Sequence, residues 1–354
     1  MSFEKVLVGM SGGVDSSVAA LLLKSYGFNI AGVTLSLYDG EKCGSSNDIK
    51  DAAAVCKKLE VEHFVFDFKD KFERSVIDKF ISEYQIGNTP NPCIECNKHI
   101  KFGAMLDAAN DKGFSKIATG HYAVIKKQGE RFVVAKPKDK AKDQSYVLYS
   151  LSQRQLSSTL MPLGELTKSE VRELAEQNAL ITAHKSDSQD ICFVPDGDYT
   201  DFISKRLGIA FPDGDYLDES GKVIGRHKGM IRYTIGQRKG LGMGFGKHMY
   251  VLDKLPTENK VILGDEDRLF KTRVLVRNVN FMAMDNLASP IDCLGKLRYR
   301  HTEQPCRIIP LDETTLIAEF REPQRAPTAG QAAVFYDGDT VICGGEIAKL
   351  DVRY

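Results

Sequence analysis

A short apolar run from Lys5 to Met10 leads directly into Ser11-Gly12-Gly13-Val14-Asp15-Ser16-Ser17 and then into a helical pattern. Paired glycines let a backbone approach an anion closely, a helix N-terminus turns its N–H groups toward negative charge, and three hydroxyls add donors. The segment reads as a phosphate cradle. It has neither the Gly-Lys-Ser/Thr of a Walker loop nor the G-x-G-x-x-G of a dinucleotide fold. Without a lysine for β- and γ-phosphates, it suits pyrophosphate held as a leaving group. Asp15 is placed to help a Mg²⁺ ion neutralise charge during attack at an α-phosphorus.

The cysteines offer a second chemistry. Asn88-Thr89-Pro90-Asn91-Pro92-Cys93-Ile94-Glu95-Cys96 is a Pro-rich loop that delivers Cys96 to the start of a helix pattern at Lys98. The helix dipole is expected to lower the pKa of that thiol and make it a nucleophile. A lone C-x-x-C is a weak zinc signal, because structural zinc takes four ligands and no second pair exists. Cys192 closes the polar loop Ser186-Asp187-Ser188-Gln189-Asp190-Ile191. Cys56, Cys293, Cys306 and Cys343 lie in helix-like or strand-like apolar runs and are expected to be small buried hydrophobes.

These residues must be carried by something. To about residue 120, apolar strand patterns alternate with striped helical ones: KVLVGM, NIAGVTLSL, HFVFDF and KIATG are strands, separated by helices such as DIKDAAAVCKKL and KDKFERSVIDKFISEYQ. Such alternation predicts an α/β domain, a parallel sheet covered by helices, with its ligand site at the carboxyl ends of the strands. A hairpin, a Lys-rich loop and further helices, about 122–208, extend it; Thr167 with Glu170 is a capping box there. Beyond Asp213 short alternating runs separated by turns predict two small β-barrels. The expected domains are 1–208, 209–275 and 276–354.

The chain has 354 residues, and its 48 Lys plus Arg balance 48 Asp plus Glu, so any polyanionic partner must be met by local patches. No apolar stretch approaches the roughly 20 residues of a membrane helix, and the start has no signal pattern, so a cytoplasmic protein is expected. Lys136, Lys138, Lys140 and Lys142 share one loop. From Ser220 to Leu252 there are seven Lys or Arg and no acid, and Arg298 and Arg300 flank Tyr299. Such features suit RNA phosphates and base stacking.

The SGGVDSS loop resembles that of the ATP-pyrophosphatases, which adenylate an oxygen while cleaving ATP to AMP and pyrophosphate. With TGHY at 119–122, KDQSYVLYSLSQRQL at 142–156, GQRKGLG at 236–242 and GQAAVFY at 330–336, the whole chain resembles the bacterial tRNA-specific 2-thiouridylase family. The resemblance implies an ATP-pyrophosphatase (Rossmann-like) domain followed by two small β-barrels. It implies that Gly9, Met10, Ser11, Gly12, Gly13, Val14, Asp15 and Ser16 hold ATP phosphates, with Leu35 and Gly120 near the nucleoside. Cys96 would be the nucleophile and Cys192 the persulfide carrier, with Asn91, Pro92 and Cys93 meeting the target base. His121, Asp143, Gln144, Ser145, Tyr299, Arg300 and Gln331 would touch tRNA, and a cysteine desulfurase or relay protein would supply sulfur.

The chain departs from that pattern at Cys93, where many relatives carry Asp. Three thiols, Cys93, Cys96 and Cys192, make a [4Fe-4S] cluster an alternative to the persulfide. The wider alternatives are an amide-forming synthetase, which would need an ammonia source, a 2-thiocytidine synthetase, which the β-rich C-terminal part disfavours, and an ATP-binding RNA module without catalytic thiols.

Overall fold

The computed structural model describes residues 4–39, 44–186, 191–194 and 197–350. Cys43 and the segment 187–190 therefore lie outside the described residues.

The first unit is built on five parallel strands in the order β3-β2-β1-β4-β7. They are β1 (Lys5–Gly9), β2 (Asn29–Ser36), β3 (His63–Asp67), β4 (Lys116–Ala118) and β7 (Thr159–Leu160). The central strands β1 and β2 are apolar almost without interruption, and Val6, Leu7, Val8, Ile30, Ala31 and Val33 are buried, as two-sided burial requires. Helices α1 (Val14–Ser25) and α2 (Ser46–Lys58) pack Val18, Leu23, Val55 and Cys56 against one face. On the other face lie Phe102, Met105, Leu106 and Ala109. Helix α2 starts at a Ser45–Asp48 capping box, as its sequence favours.

Two helical stretches differ from their sequence patterns. The run read as one helix from Lys69 to Gln85 is α3 (Lys69–Phe72), a π-helical turn (Glu73–Ile77) and α4 (Asp78–Gln85). The helix expected from Lys98 begins earlier, at α5 (Pro92–Glu95). It is capped by the Asn91 side chain, which accepts the Cys93 N–H at 3.1 Å. Pro92 stands at the first helical position, where its missing N–H costs nothing, so the Pro-rich segment opens the helix instead of ending before it. The helix continues as a π segment (Cys96–Ala104) into α6 (Met105–Asp111).

A hairpin of β5 (Val124–Gln128) and β6 (Arg131–Ala135) leaves the first sheet. Helix α7 (Gln153–Ser157) and helix α8 (Lys168–Gln177) follow, α8 opening on the anticipated Thr167–Glu170 capping box, and α9 (Tyr199–Leu207) ends the helical part. The middle unit is a four-stranded sheet of β8 (Gly214–Leu217), β9 (Val223–His227), β10 (Tyr250–Leu255) and β11 (Lys260–Gly264), ordered β10-β11-β8-β9.

The last unit contains β12 (Phe270–Phe281), β13 (Ile291–Lys296), β14 (Gln304–Pro310), β15 (Leu316–Arg325), β16 (Ala332–Asp337) and β17 (Thr340–Ala348). The order β12-β15-β14-β13-β16-β17, with β12 pairing again to β17, closes a six-stranded barrel around Val276, Ile308, Phe320 and Phe335. Beyond this closure β17 also pairs with β6, Thr340 opposite Ala135, which joins the hairpin to the barrel. The expected class, an α/β unit followed by β units, is the observed one; of the two small β-barrels expected, the last unit closes as a barrel, while the middle unit is a four-stranded sheet among the described residues. No helix among the described residues is long and apolar enough to cross a membrane.

Candidate active site

The phosphate cradle stands at the carboxyl end of β1, between that strand and α1. Gly12 takes a left-handed φ of +71°, and a Cβ there would lie 2.6 Å from the Asp48 carbonyl oxygen. Only glycine fits both demands. Gly13 caps α1 with no side-chain hydrogen bond, which leaves the first-turn N–H groups facing the loop. The loop is braced from within: Ser16 Oγ and Ser17 Oγ donate to the Gly13 carbonyl at 3.1 and 2.8 Å, and Ser16 Oγ accepts the Ser11 N–H at 3.1 Å.

Gly120 closes the opposite side, so tightly that a Cβ would lie 2.8 Å from the carbonyl carbon of Asp15 and the nitrogen of Ser16. Leu35 ends the buried part of β2, half-buried, beside the same strand ends. Gly9, Met10 and Val14 supply backbone and packing, Met10 and Val14 being buried. All ten residues assigned to ATP from the sequence therefore sit around β1, β2 and the turn after β4.

Two lysines that the sequence reading did not single out reach this rim. The Lys168 ammonium lies 2.7 and 2.8 Å from the Asp15 carboxylate oxygens, and Tyr122 donates its hydroxyl to the same group at 2.8 Å. Lys185 Nζ donates to Asp48 at 2.8 Å and Asp51 at 2.9 Å. It thereby ties the segment that precedes 187–190 to the helix behind Gly12.

Two of the thiols meet at a buried apolar cluster. Cys96 is 7% exposed, within an apolar cluster of Phe72, Phe80, Ile100 and Phe193, against which Cys192 and Ile191 also pack. Burial pushes the Cys96 thiol up to about 12; the Lys101 charge opposes this, while Cys192 and Cys93 add to it. This corrects the expected lowered pKa. Cys96 is in the second turn of a buried helix, where loss of hydration outweighs the dipole of the terminus. Cys93 is the exposed member; loss of hydration raises its thiol as well, opposed by Lys101 and reinforced by Cys192.

The π segment explains Lys101. Residues five apart share a face when hydrogen bonds run from i to i+5, and Lys101 follows Cys96 by five. His121 is buried, bonds Thr119 Oγ1 through Nδ1 at 2.8 Å and stands 5.5 Å from the Phe102 ring. Burial, with the Lys101 charge, holds its pKa well below the usual value, so the ring is neutral. Cys56, Cys306 and Cys343 are buried as expected, whereas Cys293 is partly exposed, its sulfur 3.6 Å from that of Cys306.

Among the expected RNA contacts, Tyr299 and Arg300 are exposed, and Tyr299 is close enough to Cys93 and Asp143 for their charges to raise its pKa, after burial. Asp143 and Ser145 are buried, with the Ser145 N–H donated to Asp143 at 2.9 Å. Gln144 Oε1 accepts the Tyr122 N–H at 2.8 Å, and the Gln331 side chain donates to the Thr89 carbonyl. Much of the anticipated basic surface is internally paired: Lys136 with Glu303, Lys138 with Glu170, Lys140 with Asp339. Arg298 donates to the Ala326 carbonyl and Thr328 Oγ1 at 2.8 and 2.9 Å and is a structural tie. Lys222, Arg226, Lys228, Arg232, Arg238, Lys239 and Lys247 stay exposed on the middle unit, although Arg226, Lys228 and Lys247 pair with Asp215, Asp213 and Asp265.

Comparison with known proteins places this geometry. A tRNA methyl transferase HUP domain model matches residues 4–196, a tRNA methyl transferase PRC-barrel domain model residues 200–265, and an aminomethyltransferase β-barrel domain model residues 271–347. The tRNA-specific 2-thiouridylase MnmA 1 of Clostridium botulinum is 46% identical over 354 residues, covering 98% of this chain and 99% of that protein. The chain belongs to the tRNA-specific 2-thiouridylase family.

Other members of the 2-thiouridylase family are similar over comparable lengths. MnmA 2 of Clostridium tetani is 46% identical, covering 97% of this chain and 98% of its own, and MnmA of Lachnoclostridium phytofermentans is 44% identical, covering 98% and 100%. As a family member the chain is a tRNA-modifying transferase. Cys192 packs against the cluster that holds Cys96, yet among the described residues no group of three His, Cys, Asp or Glu side chains is arranged to hold a metal ion. In this arrangement Cys93, Cys96 and Cys192 do not fit a [4Fe-4S] cluster.

Proposed function

We propose that the chain converts the wobble uridine of tRNA to 2-thiouridine, using ATP to adenylate the C2 oxygen and a cysteine persulfide to replace it. The observation that carries this reading is the placing of Cys192 against the apolar cluster that holds Cys96, with Cys93 one helical turn before it, in a domain whose first strand ends in a lysine-free phosphate loop.

The uracil oxygen is a poor leaving group because direct displacement would expel hydroxide. The loop Gly9 to Ser16 would hold the β- and γ-phosphates while the oxygen attacks the α-phosphorus. Asp15, one hard carboxylate at the rim, is the kind of ligand that Mg²⁺ uses together with phosphate oxygens, and the ion would offset charge as pyrophosphate forms. The base would be turned out of the single-stranded anticodon loop against Asn91, Pro92 and Cys93 at a cost of a few kcal/mol.

A cysteine desulfurase or relay protein would load Cys192 as a persulfide. Its terminal sulfur attacks C2 and AMP leaves with the original oxygen. The Cys96 sulfur then attacks Cys192 Sγ; the S–S bond breaks, its electron pair stays on the base sulfur, and a Cys96–Cys192 disulfide remains for a dithiol reductant. Neutral His121, exposed Tyr299 and Arg300, together with Asp143, Gln144, Ser145 and Gln331, would frame the tRNA.

The test is substitution of Cys96 and of Cys192 by Ser, with tRNA nucleosides analysed by mass spectrometry. Each variant should retain ATP and tRNA binding and form no 2-thiouridine. Full thiolation by either variant would defeat the persulfide route. Stoichiometric iron and acid-labile sulfide in anaerobically purified protein would replace it with a cluster route.

A further inference from the structure

The barrel holds a pair of thiols that the reaction above does not use. Cys293 on β13 and Cys306 on β14 are direct partners in the antiparallel register, and their sulfurs are 3.6 Å apart. Residues opposed in this way have Cα atoms about 4.5–5.5 Å apart, within the roughly 4.4–6.8 Å that a disulfide spans. Cys293 is partly exposed, whereas Cys306 is buried in the barrel core. The hydrogen bond to Cys293, and then burial, raise the Cys306 thiol, which keeps its proton at neutral pH. An oxidant arriving from solvent meets the Cys293 sulfur first, with a second thiol directly behind it.

The two residues stand at the root of the hairpin that connects β13 to β14, and the connection carries Tyr299 and Arg300. Between root and tip, Lys296 Nζ lies 3.7 Å from Glu303 and 3.9 Å from Asp143, which couples the hairpin to the loop after β6. The Tyr299 ring centroid is 6.0 Å from that of Tyr146. Joining the sulfurs would close their gap by about 1.5 Å, to the roughly 2.05 Å of a disulfide. The core leaves little room for this: a Cβ on Gly295 would lie 2.9 Å from Cys306 Sγ and 2.8 Å from the Phe320 ring. The shift passes into the hairpin instead, through Lys296 and Glu303 toward Tyr299.

We propose that Cys293 and Cys306 are a peroxide-responsive thiol pair whose disulfide draws the root of this hairpin together and weakens tRNA binding at Tyr299 and Arg300. Hydrogen peroxide is the oxidant. The Cys293 sulfur attacks one peroxide oxygen, the O–O bond breaks, the other oxygen leaves with the Cys293 proton as water, and Cys293 becomes a sulfenic acid. The Cys306 sulfur then attacks Cys293 Sγ; the S–O bond breaks and the hydroxyl leaves with the Cys306 proton as a second water. Two electrons pass from the sulfurs to the peroxide, and a dithiol reductant reverses the change. The effect on tRNA rests on the reading of Tyr299 and Arg300 as RNA contacts; the formation of the disulfide does not.

The test uses the full chain carrying Cys96→Ser and Cys192→Ser, so that those two thiols cannot pair. After treatment with hydrogen peroxide, peptide mass spectrometry without reductant should find a Cys293–Cys306 bridge. Affinity for tRNA should fall by about fivefold or more, the worth of one stacking contact, and return on reduction. Adding Cys293→Ser should abolish both responses; that residue is partly exposed, so its variant supplies the measurement if the buried Cys306→Ser fails to fold. No bridge, a bridge between other cysteines, or a Cys293–Cys306 bridge without loss of tRNA affinity overturns the proposal. In the reduced protein, Arg300→Ala should by itself weaken tRNA binding; unchanged affinity there would instead defeat the reading of the hairpin tip as an RNA contact.

Discussion

The backbone N–H of Thr89 donates to the Ala329 carbonyl at 2.9 Å, so the turn before β16 holds the loop that leads to Cys93. The barrel thus helps to position the segment that carries the Cys93 and Cys96 thiols.

That contact predicts the effect of Gly330→Ala. Gly330 has a φ of +85°, and a Cβ would lie 2.8 Å from Asn88 Cβ and 3.0 Å from the Thr89 nitrogen. Strain and crowding together should cost about 1–3 kcal/mol. Thermal unfolding should move down and thiolation should slow, while ATP affinity, set at the far loop, stays constant. Loss of ATP binding in this variant would show that the docking acts on the whole domain.

Gly120→Ala addresses the phosphate loop itself. The alanine backbone is allowed, but its Cβ would lie 2.8 Å from the Asp15 carbonyl carbon and the Ser16 nitrogen and 3.1 Å from Asp15 Cβ. Overpacking of about 1–3 kcal/mol pushed into the loop should weaken ATP roughly tenfold with tRNA binding preserved. Equilibrium binding of both ligands decides it; unaltered ATP affinity would remove Gly120 from the nucleotide site.

Cys96 gives a pH prediction. With its thiol pushed up to about 12, about one side chain in ten thousand is ionised at pH 8. Iodoacetamide should modify Cys96 slowly in the resting protein, the rate rising about tenfold per pH unit between 7 and 9. Peptide mass spectrometry would follow it. Fast labelling that levels off above pH 7 would mean that the thiol is activated before substrate arrives.

Glu95 bears on acid stability. Burial raises its carboxyl, but the His99 hydrogen bond and the Lys79 charge outweigh it and hold the group at about 2, against an ordinary 4.5. A carboxyl lowered in the folded state contributes stability that is complete above its unfolded pKa and lost as pH falls through the folded one. Wild type should therefore exceed Glu95→Gln in melting temperature at pH 6, and the gap should narrow from pH 4.5 toward 2. A gap independent of pH would assign it to packing.

The sequence showed the parallel sheet because β1 and β2 are nearly continuous apolar runs, and the phosphate loop because glycine and serine have few other reasons to crowd there. It concealed whatever depends on distant partners. Lys168 reads as a capping-box neighbour until folding sets it on Asp15. Lys136, Lys138 and Lys140 read as a basic patch because Glu303, Glu170 and Asp339 lie 32 or more residues away. The π segment was hidden for another reason: over nine residues, a wider helical period leaves the same apolar stripe as the ordinary one, so Lys101 could not be placed beside Cys96.

The seam between β6 and β17 has its own consequence. Ala135 faces Thr340, and the Lys136 N–H donates to the Asp339 carbonyl at 2.8 Å, which knits the nucleotide half to the barrel by main chain as well as side chains. Severing the polypeptide between the halves would leave a raw strand margin on each fragment, open to self-association. In the intact chain that margin is covered where Ala135 meets Thr340.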